Sequence, residues 1–251
     1  MKNDKISFIY LFLFFLYCTH FTPLHAQIGE QRNDLAIGIS GGLSLSSIDF
    51  DPTIKQAKHS GIISGLVARY TCEKYFKTLC ALQVELNYAQ LGWKEDIKDY
   101  NGDKLPDKYQ RTLGYIQIPM FAHLAWGKEQ RGLMFFLNIG PQIGFCINES
   151  DKKSNTWTLN TEGNPDRPNN LYQQYDLKLD HKFDYGITGG LGIEYNSSIG
   201  HFFLEGRYYF GLSDIFNNSK KDVFSRSANQ NIEVRLGYLI STKMFKRANK
   251  K

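Results

Sequence analysis

The sequence predicts an all-β chain folded as an eight-stranded antiparallel up-and-down transmembrane β-barrel. Three observations predict it. First, Phe183–Phe216 reads as two long strands around a tight turn. Tyr185, Ile187, Gly189, Leu191, Ile193 and Tyr195 share one face, with Asp184, Gly186, Thr188, Gly190, Gly192 and Glu194 on the other. Successive side chains of a strand point to opposite faces, so this period of two makes one oily and one polar face. Second, the oily faces are long and rich in aromatics, and no amphipathic helix is present elsewhere to cover them. Third, the links between strands alternate long and short, as in bacterial outer-membrane barrels with their short periplasmic turns and longer outside loops.

The first residues read as an export signal. Lys2 and Lys5 precede the apolar run Ile6–Tyr17, and Leu24-His25-Ala26 supplies a small residue before Gln27. This order predicts a cleaved signal peptide over 1–26 and one barrel domain over 27–251. A lipoprotein signal at Cys18 fits less well, because Tyr17 stands where a small residue is wanted. An uncleaved anchor is disfavoured by the shortness of the apolar run. The mean hydropathy of −0.39 argues against helical membrane spans. Loss of Lys2, Asp4 and Lys5 would take the formal net charge from +5 to +4. The basic residues are scattered rather than striped among aromatics, so nucleic acid is not an expected partner.

Leu35–Leu45 is the first strand, with Ile37, Ile39, Leu43 and Leu45 against Gly38, Ser40, Gly42 and Ser44. After a polar loop, Gly61–Cys72 sets Leu66, Ala68 and Tyr70 against Val67 and Arg69. In Leu79–Trp93, Leu82, Val84, Leu86 and Tyr88 oppose Gln83, Glu85 and Asn87. Beyond the charged stretch Lys94–Arg111, Leu113–Trp126 alternates Ile116, Ile118, Met120, Ala122, Leu124 and Trp126 with Tyr115, Gln117, Phe121 and His123. Pro119 lacks a ladder donor, which predicts a local irregularity. A tight link leads to Gly132–Ile147, where Phe135, Leu137, Ile139, Ile143 and Phe145 oppose Asn138, Gln142 and Gly144. The longest loop, Asn148–Lys182, precedes the 183–216 hairpin. A second polar loop leads to Asn229–Lys243, with Val234, Leu236, Tyr238 and Ile240 opposite Glu233, Arg235 and Gly237. A soluble β-sandwich or lipocalin-like barrel also uses short alternating strands. The breadth of the oily face on all eight favours lipid outside.

With that face outward, Arg69, Glu85, Glu194, Glu205, Arg207, Glu233 and Arg235 lie inside the barrel. Eight strands leave an interior about filled by side chains, and unpaired buried charges cost several kcal/mol. An internal ion-pair network is therefore expected rather than an ion path. Cys72 and Cys80 flank a hairpin turn with shared parity, which allows either a disulfide or two free thiols.

Other candidate chemistry is thinner. His59 with Ser60, and Asp180, His181 and Asp184, stand at strand ends, but nothing fixes a triad geometry, so no enzyme is expected. Asp99-Tyr100-Asn101-Gly102-Asp103, with Asp107, has part of a calcium loop's oxygen pattern, yet the Gly falls too early and no Glu closes it. Asn101-Gly102 reads better as a hairpin tip. Gly186, Gly189, Gly190 and Gly192 form no dinucleotide loop, because no helix follows, and no cofactor is expected. Lys220, Lys221 and Arg226 face either lipopolysaccharide phosphates or plain solvent.

Several blocks resemble a known family. These are Tyr115-Ile116-Gln117-Ile118-Pro119, Gly140-Pro141-Gln142-Ile143-Gly144, Asp184-Tyr185-Gly186 through Gly192-Ile193-Glu194, and Arg207 through Ile215. In this order they resemble the PorT-type outer-membrane β-barrel family of Bacteroidetes, in which Gln27 just after cleavage is also usual. The resemblance implies an eight-stranded outer-membrane barrel. Its expected partners are outer-membrane lipid, lipopolysaccharide, the barrel assembly machinery and an envelope or secretion complex. The family name comes from a type IX secretion component, whereas a small porin would be an alternative task. Such barrels often end on an aromatic, and here Phe245 precedes six further residues.

Overall fold

The computed structural model describes residues 29–99, 101–167, 171–175 and 177–242. The expected signal peptide, Cys18, Gln27, Tyr100 and the tail from Phe245 lie outside the described residues. The strands are β1 (Glu30–Asp51), β2 (Gln56–Ala57), β3 (His59–Tyr75), β4 (Thr78–Glu95), β5 (Tyr109–Gly127), β6 (Gly132–Lys153), β7 (Phe183–Asn196), β8 (His201–Asp214) and β9 (Arg226–Ser241). The eight long strands pair in the order β4-β3-β1-β9-β8-β7-β6-β5, and a β4–β5 pairing returns to the start. The sheet is therefore a closed ring. In hydrocarbon every backbone donor and acceptor must be paired internally, and closure is what removes the last unpaired edge. The two-residue β2 adds only Gln56↔Glu95 and Ala57↔Lys94 outside the ring.

Strands of 14 to 22 residues exceed the ~9–11 needed for a tilted crossing. The surplus projects at the long-loop end, where Asn148–Lys153 of β6 is exposed and polar. Lower down, the outer wall is apolar. Leu43 is 63% exposed, Phe135 64%, Leu191 69% and Leu236 65%, exposures that make sense only against lipid. Aromatics border this wall. Tyr70, Trp126, Tyr195 and Phe202 stand near the short turns, and Phe145, Phe183, Tyr185 and Phe210 near the long loops. The Tyr and Trp rings, each with one polar edge, favour the interface between headgroups and acyl chains.

The strands run longer than the alternation predicts, because polar residues continue the ladder beyond the oily face. Pro119 does not break the register. Val84↔Met120 and Asn87↔Gln117 keep one alignment across it, but the pairing lapses between them and, on the other side, between Pro119↔Gln142 and Ala122↔Ile139. That lapse is the local irregularity expected there, and the register shift of β5 lies between Gly114 and Tyr115. A proline forfeits one donor, and neighbouring bonds hold the alignment. A second shift falls between Thr71 and Glu73, which makes Cys72 the extra residue of a bulge.

Candidate functional site

The lumen is filled in three layers. At the short-turn end, Val67, Ala125, Met134, Phe136, Phe203 and Leu239 form a small apolar cluster. Two of its rings lie over glycines directly across the ladder, Phe136↔Gly192 and Phe203↔Gly237. A Cβ at either glycine would run into the ring.

The middle layer is ionic and holds Glu85, Glu205, Arg207, Glu233 and Arg235. Arg69 and Glu194, also buried, sit lower among the apolar cluster, Glu194 on the rungs of Met134 and Phe203 and Arg69 5.9 Å from the Phe136 and Phe203 rings. Glu85 is its hub. Its Oε1 accepts from Arg207 Nη2 (2.6 Å) and Gln83 Nε2 (2.6 Å), and its Oε2 from Arg207 Nη1 (2.8 Å), Arg235 Nη1 (2.7 Å) and Asn87 Nδ2 (3.0 Å). Arg207 also donates to Glu205 Oε2 at 2.7 Å, and Asn138 Nδ2 donates to Glu205 Oε1 at 2.7 Å. Arg69 pairs with Glu194 and donates to Gln83 Oε1 at 2.8 Å. Glu233 lies 3.8 Å from Arg235 and accepts from Asn231 Nδ2 at 2.7 Å. The β8–β9 register sets Glu205 opposite Arg235 and Arg207 opposite Glu233, so charges of opposite sign face one another on the ladder. The Arg207 guanidinium lies 4.6 Å from the centroid of Phe121. Neutral residues that the sequence does not distinguish from ordinary inward polars (Gln83, Asn87, Asn138 and Ser40) complete this layer.

The outer layer is aromatic. Phe50, Trp93, Tyr109, Tyr115, Phe216 and Phe224 are buried in the barrel mouth with Ile48, Ile63, Leu91 and Leu113. The long loop folds back over them. A 3-10 turn, Gln173–Tyr175, lowers Tyr175 onto Tyr109 with ring centroids 4.7 Å apart. The contacts that hold it there span long stretches of chain. Tyr175 Oη donates to Glu95 Oε2 at 2.7 Å, and Gln174 Nε2 donates to Glu95 Oε1 at 3.2 Å. Arg167 Nε donates to Tyr175 Oη at 2.7 Å, and its Nη2 pairs with Asp107 at 3.0 Å. Arg167 also sits 5.0 Å from the Trp157 ring, which stacks on Tyr175 at 4.6 Å. Burial pushes the Glu95 carboxyl above its usual range, although the bonds from Tyr175 and Gln174 oppose the shift. Burial likewise raises the Tyr175 phenol.

The remaining candidates are scattered. His59 is buried with Nε2 3.0 Å from Thr112 Oγ1, whereas Ser60 is exposed. Asp180 and His181 are exposed, and buried Asp184 binds Ser213 and Asn229. These residues do not come together as a triad. Asp99 Oδ1 accepts from Asp103 N at 2.7 Å beside the Lys98↔Lys104 bridge, which closes a hairpin, and Asp107 is engaged by Arg167. Among the described residues, no group of three or more His, Cys, Asp or Glu side chains is arranged to hold a metal. Lys220 and Lys221 are exposed in the last loop. Arg226 is half-buried, pairs with Asp49 at 2.6 Å and lies 5.5 Å from the Phe210 ring.

The Cys72–Cys80 disulfide allowed by parity is not formed, and both are free thiols. The bulge explains this, since Cys80 faces Glu73 rather than Cys72 and equal parity no longer means a shared rung. Cys146 is a third free thiol, buried at the mouth.

Residues 25–217 match the family described as outer membrane protein beta-barrel domain. The chain belongs to that family. It is an outer-membrane β-barrel, and its apolar wall is the lipid-facing one. The comparison with curated proteins finds no match. Among solved structures, it is similar to the Neisserial surface protein A (10% identity, 82% of this chain and 96% of that one, TM-score 0.42). It is also similar to OprG from Pseudomonas aeruginosa (13%, 84% and 98%, TM-score 0.41) and to Ail, the attachment invasion locus protein of Yersinia pestis (12%, 84% and 99%, TM-score 0.34). Identities this low speak to neither site nor task.

Proposed function

We propose that this is a closed, non-conducting barrel whose role is structural or accessory, with the work of recognition done by its outer loops. The observation that carries the reading is the filled lumen. Apolar rings and the Arg69–Glu194 pair fill the short-turn end, the Glu85 network crosses the middle, and aromatic residues fill the mouth, onto which the long loop folds. A small porin needs a continuous wet path, which this filling opposes. An enzyme would need acid, base and nucleophile within reach of one another, and His59, His181 and Asp184 do not supply that geometry. Planar-bilayer recording of the refolded chain tests the reading. Silence at physiological salt supports it, and steady unitary conductance overturns it.

The blocks around Tyr115–Pro119, Gly140–Gly144 and Arg207–Ile215 support a finer assignment to the PorT type. On that assignment the barrel would serve an envelope or type IX secretion complex, with lipopolysaccharide and the assembly machinery as its other partners. Deleting the gene separates the two roles. Cargo enzymes retained in the periplasm support a secretion component, whereas normal secretion supports an accessory barrel outside that pathway.

A further inference from the structure

The barrel mouth contains a pocket of about 90 Å³ beside the folded-back loop. Three segments meet there: 53–55 from the loop after β1, 95–98 from the end of β4, and Arg167, Leu171 and Gln174 from the long loop. Its chemistry is graded. Glu95 and Gln174, both buried, line one part. Gln174 commits its Nε2 to Glu95 and Leu171 O, and its Oε1 has no hydrogen-bond partner. The walls are Ile54, Ile97 and Leu171, and the remaining lining includes exposed Lys55 and half-buried Lys98.

The charge count points to what would fit. Glu95 and Asp107 are two buried carboxylates near one guanidinium, and the ion pair of Arg167 goes to Asp107. Glu95 receives neutral donors only, from Tyr175 and Gln174. A buried carboxylate with no cation of its own, beside an unpartnered amide oxygen, is a site for a donor that brings positive charge. The apolar walls suit a short aliphatic stem, and Lys55 and Lys98 suit an acid at its other end. Asp96, also in the lining, is 3.4 Å from Lys104 and so is already answered. Mostly apolar concavities with a few convergent polar groups are the usual form of small-ligand sites.

From this arrangement we infer that the mouth pocket binds a primary ammonium carried on a short aliphatic chain that ends in a carboxylate. The ammonium would lie against Glu95 and Gln174 Oε1, and the carboxylate against Lys55 and Lys98. Free lysine and the lysine at a peptide's C-terminus both present this chemistry. The inference rests on the closed-barrel reading and names the ligand class that its outer loops would take.

The test uses the full mature chain refolded in detergent micelles and titrated by NMR with 6-aminohexanoate. Saturable binding is expected, about tenfold weaker for hexanoate or hexylamine, each of which lacks one charged end. Glu95→Gln and Gln174→Leu should each weaken 6-aminohexanoate by a similar factor, and Lys55→Ala with Lys98→Ala should weaken it but not hexylamine. Trp157 fluorescence reports whether the loop stays docked in each variant. Where Gln174→Leu undocks it, Glu95→Gln and the lysine pair decide. Free lysine and a lysine-terminated peptide then compete with the probe, and the tighter of the two identifies the source. Equal binding of hexanoate and 6-aminohexanoate, or no binding of the probe to the wild-type chain, overturns the inference. Bilayer recording on the same preparation separates the failures, since a silent barrel that ignores the probe loses only this site.

Discussion

Arg207 forks onto Glu85 from the far side of the lumen, with Nη1 2.8 Å from Oε2 and Nη2 2.6 Å from Oε1. The two residues are 122 positions apart in sequence, and both side chains are buried. A bidentate guanidinium–carboxylate pair fixes geometry as well as charge. Here it ties β8 to β4 across the ring that their ladders close. Removing one partner of such a pair strands the other, typically at a cost of about 3–5 kcal/mol. Arg207→Ala is expected to lower the temperature at which the folded band is lost in heat-modifiability gels, far below that of a Lys220→Ala control. Equal temperatures for the two variants would mean that Arg207 does not hold the interior.

Phe136 and Phe203 depend on glycines in a way that a double-mutant cycle can read. A Cβ at Gly237 would meet only ring atoms of Phe203 as its nearest neighbours. Gly237→Ala is therefore expected to destabilise the barrel by ~1–3 kcal/mol, the usual cost of overpacking. In a Phe203→Ala background most of that penalty should vanish, because the obstacle is gone. Strict additivity in urea unfolding from lipid vesicles would show that the ring and the glycine do not share this space.

How much of this was legible follows from what each contact depends on. The inward charges occupy alternate positions on their own strands, so Arg69, Glu85, Glu194, Glu205, Arg207, Glu233 and Arg235 can be placed by period alone. The partners of Glu85 across the lumen cannot, because they depend on which strands face each other once the ring closes. The bulge at Cys72 is hidden for a related reason, since register belongs to a pair of strands and not to one. The mouth was least legible. Tyr175 reaches Glu95 over 80 residues and Arg167 reaches Asp107 over 60. One signal was present, because Trp157, Leu159, Leu171, Tyr172, Tyr175, Leu177 and Leu179 interrupt a largely polar loop, and that apolar surface would have to be covered by something.

The lipid-facing wall makes its own prediction. Leu191 is 69% exposed, and its alternation partners Gly190 and Gly192 face inward. An Arg at a lipid-facing position near the bilayer midplane costs about 2–4 kcal/mol. Leu191→Arg should lose this much folding free energy in vesicles, while Leu159→Arg in the long loop should be nearly neutral. An equally mild Leu191→Arg would place that face in water.

The thiols give a simple count. Cys72 and Cys80 are half-buried at the short-turn end, and Cys146 is buried with Sγ 3.4 Å from Asn148 O. Maleimide should label two cysteines of the folded mature barrel and a third only after unfolding. A folded chain that resists labelling at Cys72 and Cys80, and gains both sites on reduction, would indicate the bridge that the bulge opposes.

The docked loop should respond to pH through Glu95. Burial is the largest influence on its carboxyl and raises the pKa, against the bonds from Tyr175 and Gln174 and the more distant charge of Arg167. A carboxyl with a raised value in the docked state takes up a proton more readily there than in an undocked, solvated loop. Docking is therefore strongest below the ordinary glutamate value of ~4.3 and weakens as pH rises through the raised value. Trp157, stacked on Tyr175 at 4.6 Å, is the reporter. Its fluorescence should shift toward that of a solvated indole as pH is raised from acid to neutral. Glu95→Gln fixes the neutral form, so it should abolish the pH response and leave the loop in its acid-like docked state. A response that survives the substitution would assign the titration to another group in the mouth.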